Sequence, residues 1–133
     1  MRIGLIAEQS KRELMQNFCL AYKLLLEKHK LYAPKGTARA VVAETGLEIE
    51  SYLPEDMGGI IQINGQIERN ELDAIIYFYT PRPAEDGISD ENNHLFFECV
   101  RLCDEYCIPV ATNLACAEIL IFGIHNGDLN WRL

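Results

Sequence analysis

The sequence predicts an α/β fold: three layers, α/β/α, around a five-stranded parallel sheet. Two patterns predict it. Short apolar runs of strand length alternate with longer stretches of helical periodicity along the whole chain. The runs are nearly continuously apolar, as in strands covered on both faces by helices. The 133 residues are enough for one domain with one core, so residues 1–133 are expected to form a single unit.

Residues 2–7 read as the first buried strand. Ser10 and Glu13 have the spacing of a capping box for the helix that follows, whose stripe includes Leu14, Phe18, Tyr22 and Leu25 and ends near His29. A second strand spans 30–33. Pro34, Lys35, Gly36 and Thr37 form a turn into a helix over about 38–44, and Gly46 suits a left-handed helix end. A third strand covers 47–53, and Asp56 is a candidate N-cap for the segment from about 59 to 69, which carries Ile60, Ile61, Ile63 and Ile67. Residues 72–79 form the clearest strand. Residues 80–93 form a long loop rich in Pro, Gly, Asp and Asn, of the kind that serves as a lid. A helix at about 94–106, a fifth strand at 108–112, a short helix at 115–124 and a polar tail complete the chain.

Composition narrows the function. Twelve Lys and Arg stand against 20 Asp and Glu, a formal charge of −8. That balance disfavours nonspecific binding to nucleic acid or to an anionic membrane, so an anionic ligand needs a local cationic pocket. The opening apolar run is too short for a signal or a membrane span, which points to the cytoplasm. Cys99, Cys103 and Cys107 lie at helical spacing. They read as small buried side chains rather than metal ligands, and neither a metal nor a cofactor is expected.

In open parallel sheets, ligands bind outside the carboxyl ends of the strands. Residues 7–11, 33–37, 53–59 and those from Tyr79 onward are therefore expected to line one crevice. In these stretches the sequence resembles the methylglyoxal synthase family. The matching segments are Leu31-Tyr32-Ala33 before a Gly-Thr turn, Met57-Gly58-Gly59, and Asp73 through Pro81. Ile108-Pro109-Val110-Ala111-Thr112-Asn113 and the tail Gly127-Asp128-Leu129-Asn130-Trp131-Arg132 also match. The resemblance implies a five-stranded parallel sheet with Rossmann- or flavodoxin-like winding and, typically, a homohexamer. It further implies an enzyme that takes a proton from dihydroxyacetone phosphate with an aspartate and eliminates phosphate.

The crevice positions depart from that pattern. Ile60 stands where the family has its catalytic aspartate, and an isoleucine cannot accept a proton. Glu8 and Gln9 replace a His-Asp pair, and Pro34, Lys35 and Gly36 replace a Thr-Gly-Thr turn with Thr37 kept. Pro54, Glu55 and Asp56 replace Ser-Gly-Pro, and Thr80 replaces an aspartate. His94 and Asp90 are the candidates nearest the family's catalytic histidine.

What remains can hold an anion. Lys35, Gly36 and Thr37 offer backbone N–H groups at a helix start, a hydroxyl and an ammonium, although an ordinary solvated turn has the same composition. By the resemblance, Arg12, beside Lys11, aligns with the family's phosphate-binding lysine and Arg132 with an arginine lent by a neighbouring subunit; the alternatives are a surface cation at a helix start for Arg12 and a disordered tail residue for Arg132, although Trp131 argues for docking. Gly58 and Gly59 permit close backbone approach to a ligand or merely shape the helix entry. Glu8, Glu55 and Asp56 make the crevice more acidic than a phosphate site; they suit accepting hydrogen bonds from a base or sugar, or serve as exposed caps. Tyr77 and Tyr79 suit base stacking or core packing.

The expectation from these substitutions is a non-catalytic binder of a phosphorylated small molecule, such as a sensor or sponge for a signalling nucleotide. The alternative is a methylglyoxal synthase-type lyase with a relocated base at Asp56, Glu55 or Asp90.

Overall fold

The computed structural model describes residues 1–82 and 91–133. The strands are β1 (Arg2–Ala7), β2 (Lys30–Ala33), β3 (Ile49–Ser51), β4 (Ala74–Phe78) and β5 (Val110–Ala111). They form one sheet in the order β3-β2-β1-β4-β5, and every pairing is parallel. The helices are α1 (Arg12–Ala21), α2 (Lys23–Leu26), α3 (Lys35–Thr45), α4 (Gly59–Glu68), α5 (Glu91–Glu105) and α6 (Leu114–His125). The three-layer α/β expectation is met.

The central strands explain why their sequences are apolar throughout. Ile3, Leu5 and Ala7 of β1, with Ala74, Ile76 and Phe78 of β4, join a core with Met15 and Phe18 of α1, Val41 of α3 and Ile121 of α6. The alternate residues Ile6, Ile75 and Tyr77 join a second core with Ile63 and Ile67 of α4 and Cys99 of α5. Successive side chains of a strand point to opposite faces, and here both faces are roofed by helices. Each fully buried Leu, Ile or Phe contributes roughly 1.5–3 kcal/mol. Gly4 is small for a specific reason: a Cβ there would come within 2.8 Å of the Ile75 side chain.

Several local expectations are corrected. Ser10 does not cap α1; its hydroxyl is bonded to that of Thr80 instead, and a 3-10 turn over Gln9–Lys11 leads into the helix. The first helix does not run unbroken to His29, because Tyr22 leaves helical geometry at ψ 23° and separates α1 from α2. Asp56 does not cap α4; Gly58, at φ +100°, provides the entry. The helix after Pro34 begins at Lys35 rather than near residue 38, since Pro34 supplies the extended residue that precedes it. The third strand shortens to Ile49–Ser51 at the sheet edge. Gly46 does end α3 in the left-handed conformation, at φ +68°. Cys99 and Cys103 are buried, but Cys107 lies beyond the end of α5 and is exposed, at φ +56°.

Asp90 and most of the expected lid over residues 80–93 lie outside the described residues. Among the described residues, no helix is long and apolar enough to cross a membrane.

Candidate functional site

A crevice of about 380 Å³ opens at the carboxyl ends of β1 and β4, where the strand order switches direction. Its walls come from the end of β1 and the turn after it (Ala7, Glu8), the first residue of α1 (Arg12), the start of α3 (Gly36), the turn before α4 (Glu55, Asp56) and β4 (Tyr77). A larger recess of about 550 Å³ lies at the amino ends of β2 and β3. It adjoins the C-terminal end of α3, where carbonyl groups converge, and so is poorly suited to an anion.

The floor of the crevice is an anion cradle that is already filled. Glu55 Oε1 accepts the Gly36 N–H at 2.9 Å. Glu55 Oε2 accepts the Thr37 N–H at 3.0 Å, the Thr37 hydroxyl at 2.7 Å and an Arg12 Nη2–H at 3.2 Å. The Thr37 hydroxyl oxygen in turn accepts the Ala7 N–H at 3.1 Å, which fixes the start of α3 against the end of β1. Gly36 makes this closure feasible, because a Cβ there would run into the Arg12 guanidinium and lie 2.7 Å from Glu55 Oε1. The donors are those of a helix N-terminus, with one hydroxyl and one guanidinium added.

Glu8 sits at the rim, its Oε2 accepting the Thr80 N–H at 2.7 Å. Asp56 lines the same crevice, exposed, and among the described residues its carboxylate has no hydrogen bond or ion pair. Ile60, 4% exposed, presents apolar surface in the first turn of α4. Gly59 is required by packing, since a Cβ would fall against the Leu53 carbonyl oxygen and 3.0 Å from that of Pro54. Tyr77 is fully buried yet lines the crevice, and among the described residues its hydroxyl has no hydrogen-bond partner. Burial pushes this phenol well above its ordinary pKa, with the Cys99 thiol and the Glu8 and Glu55 carboxylates adding, so it stays a proton-bearing donor.

Of the predicted residues, Glu8, Arg12, Gly36, Thr37, Asp56 and Thr80 gather in or at the rim of the crevice. Others do not. Lys35 is exposed and lies along an outer groove with Arg39 and Ser51; only its backbone belongs to the turn. Lys11 ends the 3-10 turn and is not part of the crevice wall. His94 is exposed on the first turn of α5 and is not part of the crevice wall. Arg132 stands at the opposite end of the sheet, donating to the Cys107 carbonyl at 2.9 Å and to Asn70 Oδ1 at 3.4 Å. Within one chain it cannot serve the crevice. The aromatic strand packs inward: Tyr77 meets Phe96 edge-on and Tyr79 stacks on Phe96 at 3.9 Å, so neither ring is open for a base. Glu55 and Tyr77, which the sequence offers only as an acidic or relocated-base residue and as a stacking or core ring, both belong to the crevice wall. Glu55 stands out only once the donors of Arg12, Gly36 and Thr37 are seen to converge on it.

A family model for the MGS-like domain matches residues 17–112. The chain is similar to the methylglyoxal synthase of Caldicellulosiruptor saccharolyticus, 45% identical over 132 residues, covering 99% of this chain and 90% of that protein. It is also similar to that of Listeria welshimeri, 41% identical over 132 residues and covering 99% and 95% respectively. The crystal structure of methylglyoxal synthase from Elizabethkingia anophelis matches with a TM-score of 0.78 and 25% identity, covering 90% of this chain and 76% of that one.

These likenesses overturn the expectation of a non-catalytic binder. It rested on the combined replacement of the family's aspartate at Ile60, its His-Asp pair and its phosphate-loop threonines, whereas relatives at 40–45% identity over nearly the full chain are methylglyoxal synthases. The geometry removes the physical objection as well. The crevice is not short of proton acceptors, because Glu8, Glu55 and Asp56 all line it.

Proposed function

The chain belongs to the MGS-like domain family, and from that premise we propose that it is a methylglyoxal synthase-type carbon–oxygen lyase acting on dihydroxyacetone phosphate, with Asp56 as the proton acceptor. The observation that carries the reading is the free Asp56 carboxylate in the same crevice as the anion cradle of Gly36, Thr37 and Arg12. In this structure Glu55 is held in the cradle and Glu8 Oε2 accepts the Thr80 N–H, so among the described residues Asp56 is the crevice carboxylate with both oxygens open.

In this reading the substrate phosphate occupies the cradle and the carbonyl oxygen takes the Tyr77 hydrogen bond. Asp56 removes a proton from the hydroxymethyl carbon. The electron pair left behind forms a carbon–carbon double bond, and the carbonyl oxygen gains a proton, giving an enediol. Loss of the terminal hydroxyl proton then makes a new carbonyl and shifts the double bond. The carbon–oxygen bond to phosphate breaks, and phosphate leaves with the pair. The resulting enol takes a proton on the former phosphate-bearing carbon, gives up its hydroxyl proton and becomes methylglyoxal. A preorganised donor aimed at the charge that develops on the carbonyl oxygen lowers such barriers by several kcal/mol.

A homo-oligomer accompanies this reading, with Arg132 of one copy serving the crevice of another. Its support is the exposure of Trp131 and Leu133 at 68% and 77%, beside an arginine that points away from its own site. A colorimetric assay for methylglyoxal formed from dihydroxyacetone phosphate tests the proposal. Turnover is expected, and Asp56→Asn is expected to lower it by about 10²-fold or more. Absence of both methylglyoxal and released phosphate, or full activity in Asp56→Asn, sinks it.

A further inference from the structure

The donors that a phosphate ester needs are occupied by this chain's own carboxylate. Glu55 takes two backbone N–H groups, the Thr37 hydroxyl and the Arg12 guanidinium with just two oxygens. Its side chain is 16% exposed and that of Arg12 is 31% exposed, so the ion pair is partly shielded from water. A second group nearby is unfilled. The Tyr77 hydroxyl, on a fully buried residue that lines the same crevice, has no partner among the described residues. A buried hydroxyl left unpaired is destabilising, and a ligand oxygen is one way to satisfy it. The crevice is thus satisfied at its anionic end and unsatisfied beside it.

We propose that Glu55 is a built-in stand-in for the substrate phosphate, which a phosphorylated ligand must displace from the Gly36, Thr37 and Arg12 cradle, and that this displacement makes the site selective for dianions. The inference rests on the reading that the crevice takes a phosphate ester. A phosphate dianion brings three acceptor oxygens and twice the charge to donors that Glu55 meets with two oxygens and one charge. It therefore gains on exchange. A carboxylate ligand offers nothing that Glu55 does not already supply, and it is refused. The displaced side chain belongs to the turn that also carries Asp56, so filling the cradle and shifting the turn beside the proton acceptor are one event.

Calorimetric titration with inorganic phosphate tests this without requiring turnover, so it can fail while the lyase reading stands, and the reverse. Glu55→Gln keeps the shape and removes the competing charge. Its phosphate affinity is expected to rise at least tenfold over the unsubstituted protein. Asp56→Asn removes a charge from the same crevice but from outside the cradle, and its gain is expected to stay below threefold. Equal gains in the two variants reduce Glu55 to background repulsion and overturn the proposal, as does an unchanged or weaker affinity in Glu55→Gln. Should Glu55→Gln fail to fold, the unsubstituted protein still decides. Phosphate is expected to move the Gly36 and Thr37 amide resonances at concentrations where acetate does not. Amides that ignore phosphate, or that respond equally to acetate, overturn it.

Discussion

The Thr37 hydroxyl donates to Glu55 Oε2 at 2.7 Å from a residue with no exposed surface, while its oxygen accepts the Ala7 N–H at 3.1 Å. One side chain thereby ties the end of β1, the start of α3 and the turn before α4. Thr37→Val keeps the branched shape and deletes both bonds, leaving the Ala7 N–H buried without a partner. The expected loss is about 1–3 kcal/mol, read by urea unfolding, together with loss of phosphate binding. Thr37→Ser is expected to restore both. A Val variant as stable as the parent contradicts this role.

Arg12 supplies the one side-chain cation of the cradle. Its pair with Glu55 is partly solvent-exposed, so Arg12→Ala is expected to cost about 1 kcal/mol or less in stability. Its effect on kcat/KM for dihydroxyacetone phosphate is expected to reach about 10²-fold, because the guanidinium stabilises the departing phosphate. Comparable small losses in both measurements would place Arg12 outside the chemistry.

Tyr77→Phe separates fold from function. Removing an unpaired buried hydroxyl is expected to leave stability unchanged or to raise it by about 1 kcal/mol. The same change deletes the proposed donor to the substrate carbonyl and is expected to lower kcat/KM by about 10²-fold. A stability loss in thermal melts would show that the hydroxyl has a structural partner after all.

Ile60→Asp returns a carboxylate to the first turn of α4. Loss of a buried isoleucine costs about 1.5–3 kcal/mol, of which the helix N-terminus offsets roughly 0.3–1 kcal/mol. In an Asp56→Asn background, this change is expected to recover methylglyoxal formation by about tenfold or more. A double variant no better than Asp56→Asn alone argues that position 60 does not face the substrate.

Asp73 gives the fold a defined acid limit. Burial alone would raise its pKa. The side-chain hydrogen bond from Arg2, the Arg2 backbone N–H at 2.8 Å and the guanidinium charge outweigh burial and hold the carboxyl below its usual value. A group depressed in the folded state stabilises above its unfolded pKa, about 3.9, and that stability is lost as pH falls through the lower folded value. Asp73→Asn is therefore expected to cost about 1–3 kcal/mol at pH 7 and progressively less below pH 4, by denaturant unfolding across pH. A penalty independent of pH would assign the effect to packing.

The fold was largely legible because burial leaves a periodic trace. The strands over 2–7 and 72–79 read as continuous apolar runs since each is roofed on both faces. Edge strand β3 is shorter than its apolar alternation suggests, because it pairs on one side alone, over Ile49–Ser51. The helix entries depart from capping patterns at Ser10, whose hydroxyl meets Thr80, and at Asp56, since Gly58 provides the entry to α4. The site was legible as a set of loops and not as a set of bonds. The sequence places Glu8, Glu55 and Asp56 in one crevice, but not which of them is held by Gly36, Thr37 and Arg12 and which stays open, because those bonds join segments far apart in the chain.

Sequence by itself determined the layers, the parallel strands and the end of the sheet where the candidate crevice lies, since these follow from side-chain periodicity and chain direction. Tertiary structure alone decided which groups meet. Glu55 and Thr37 are 18 residues apart, and Arg12 and Glu55 are 43 apart. No local rule of propensity or spacing brings an N–H, a hydroxyl, a guanidinium and a carboxylate to one point; only the packing of β1, α1, α3 and the turn before α4 does.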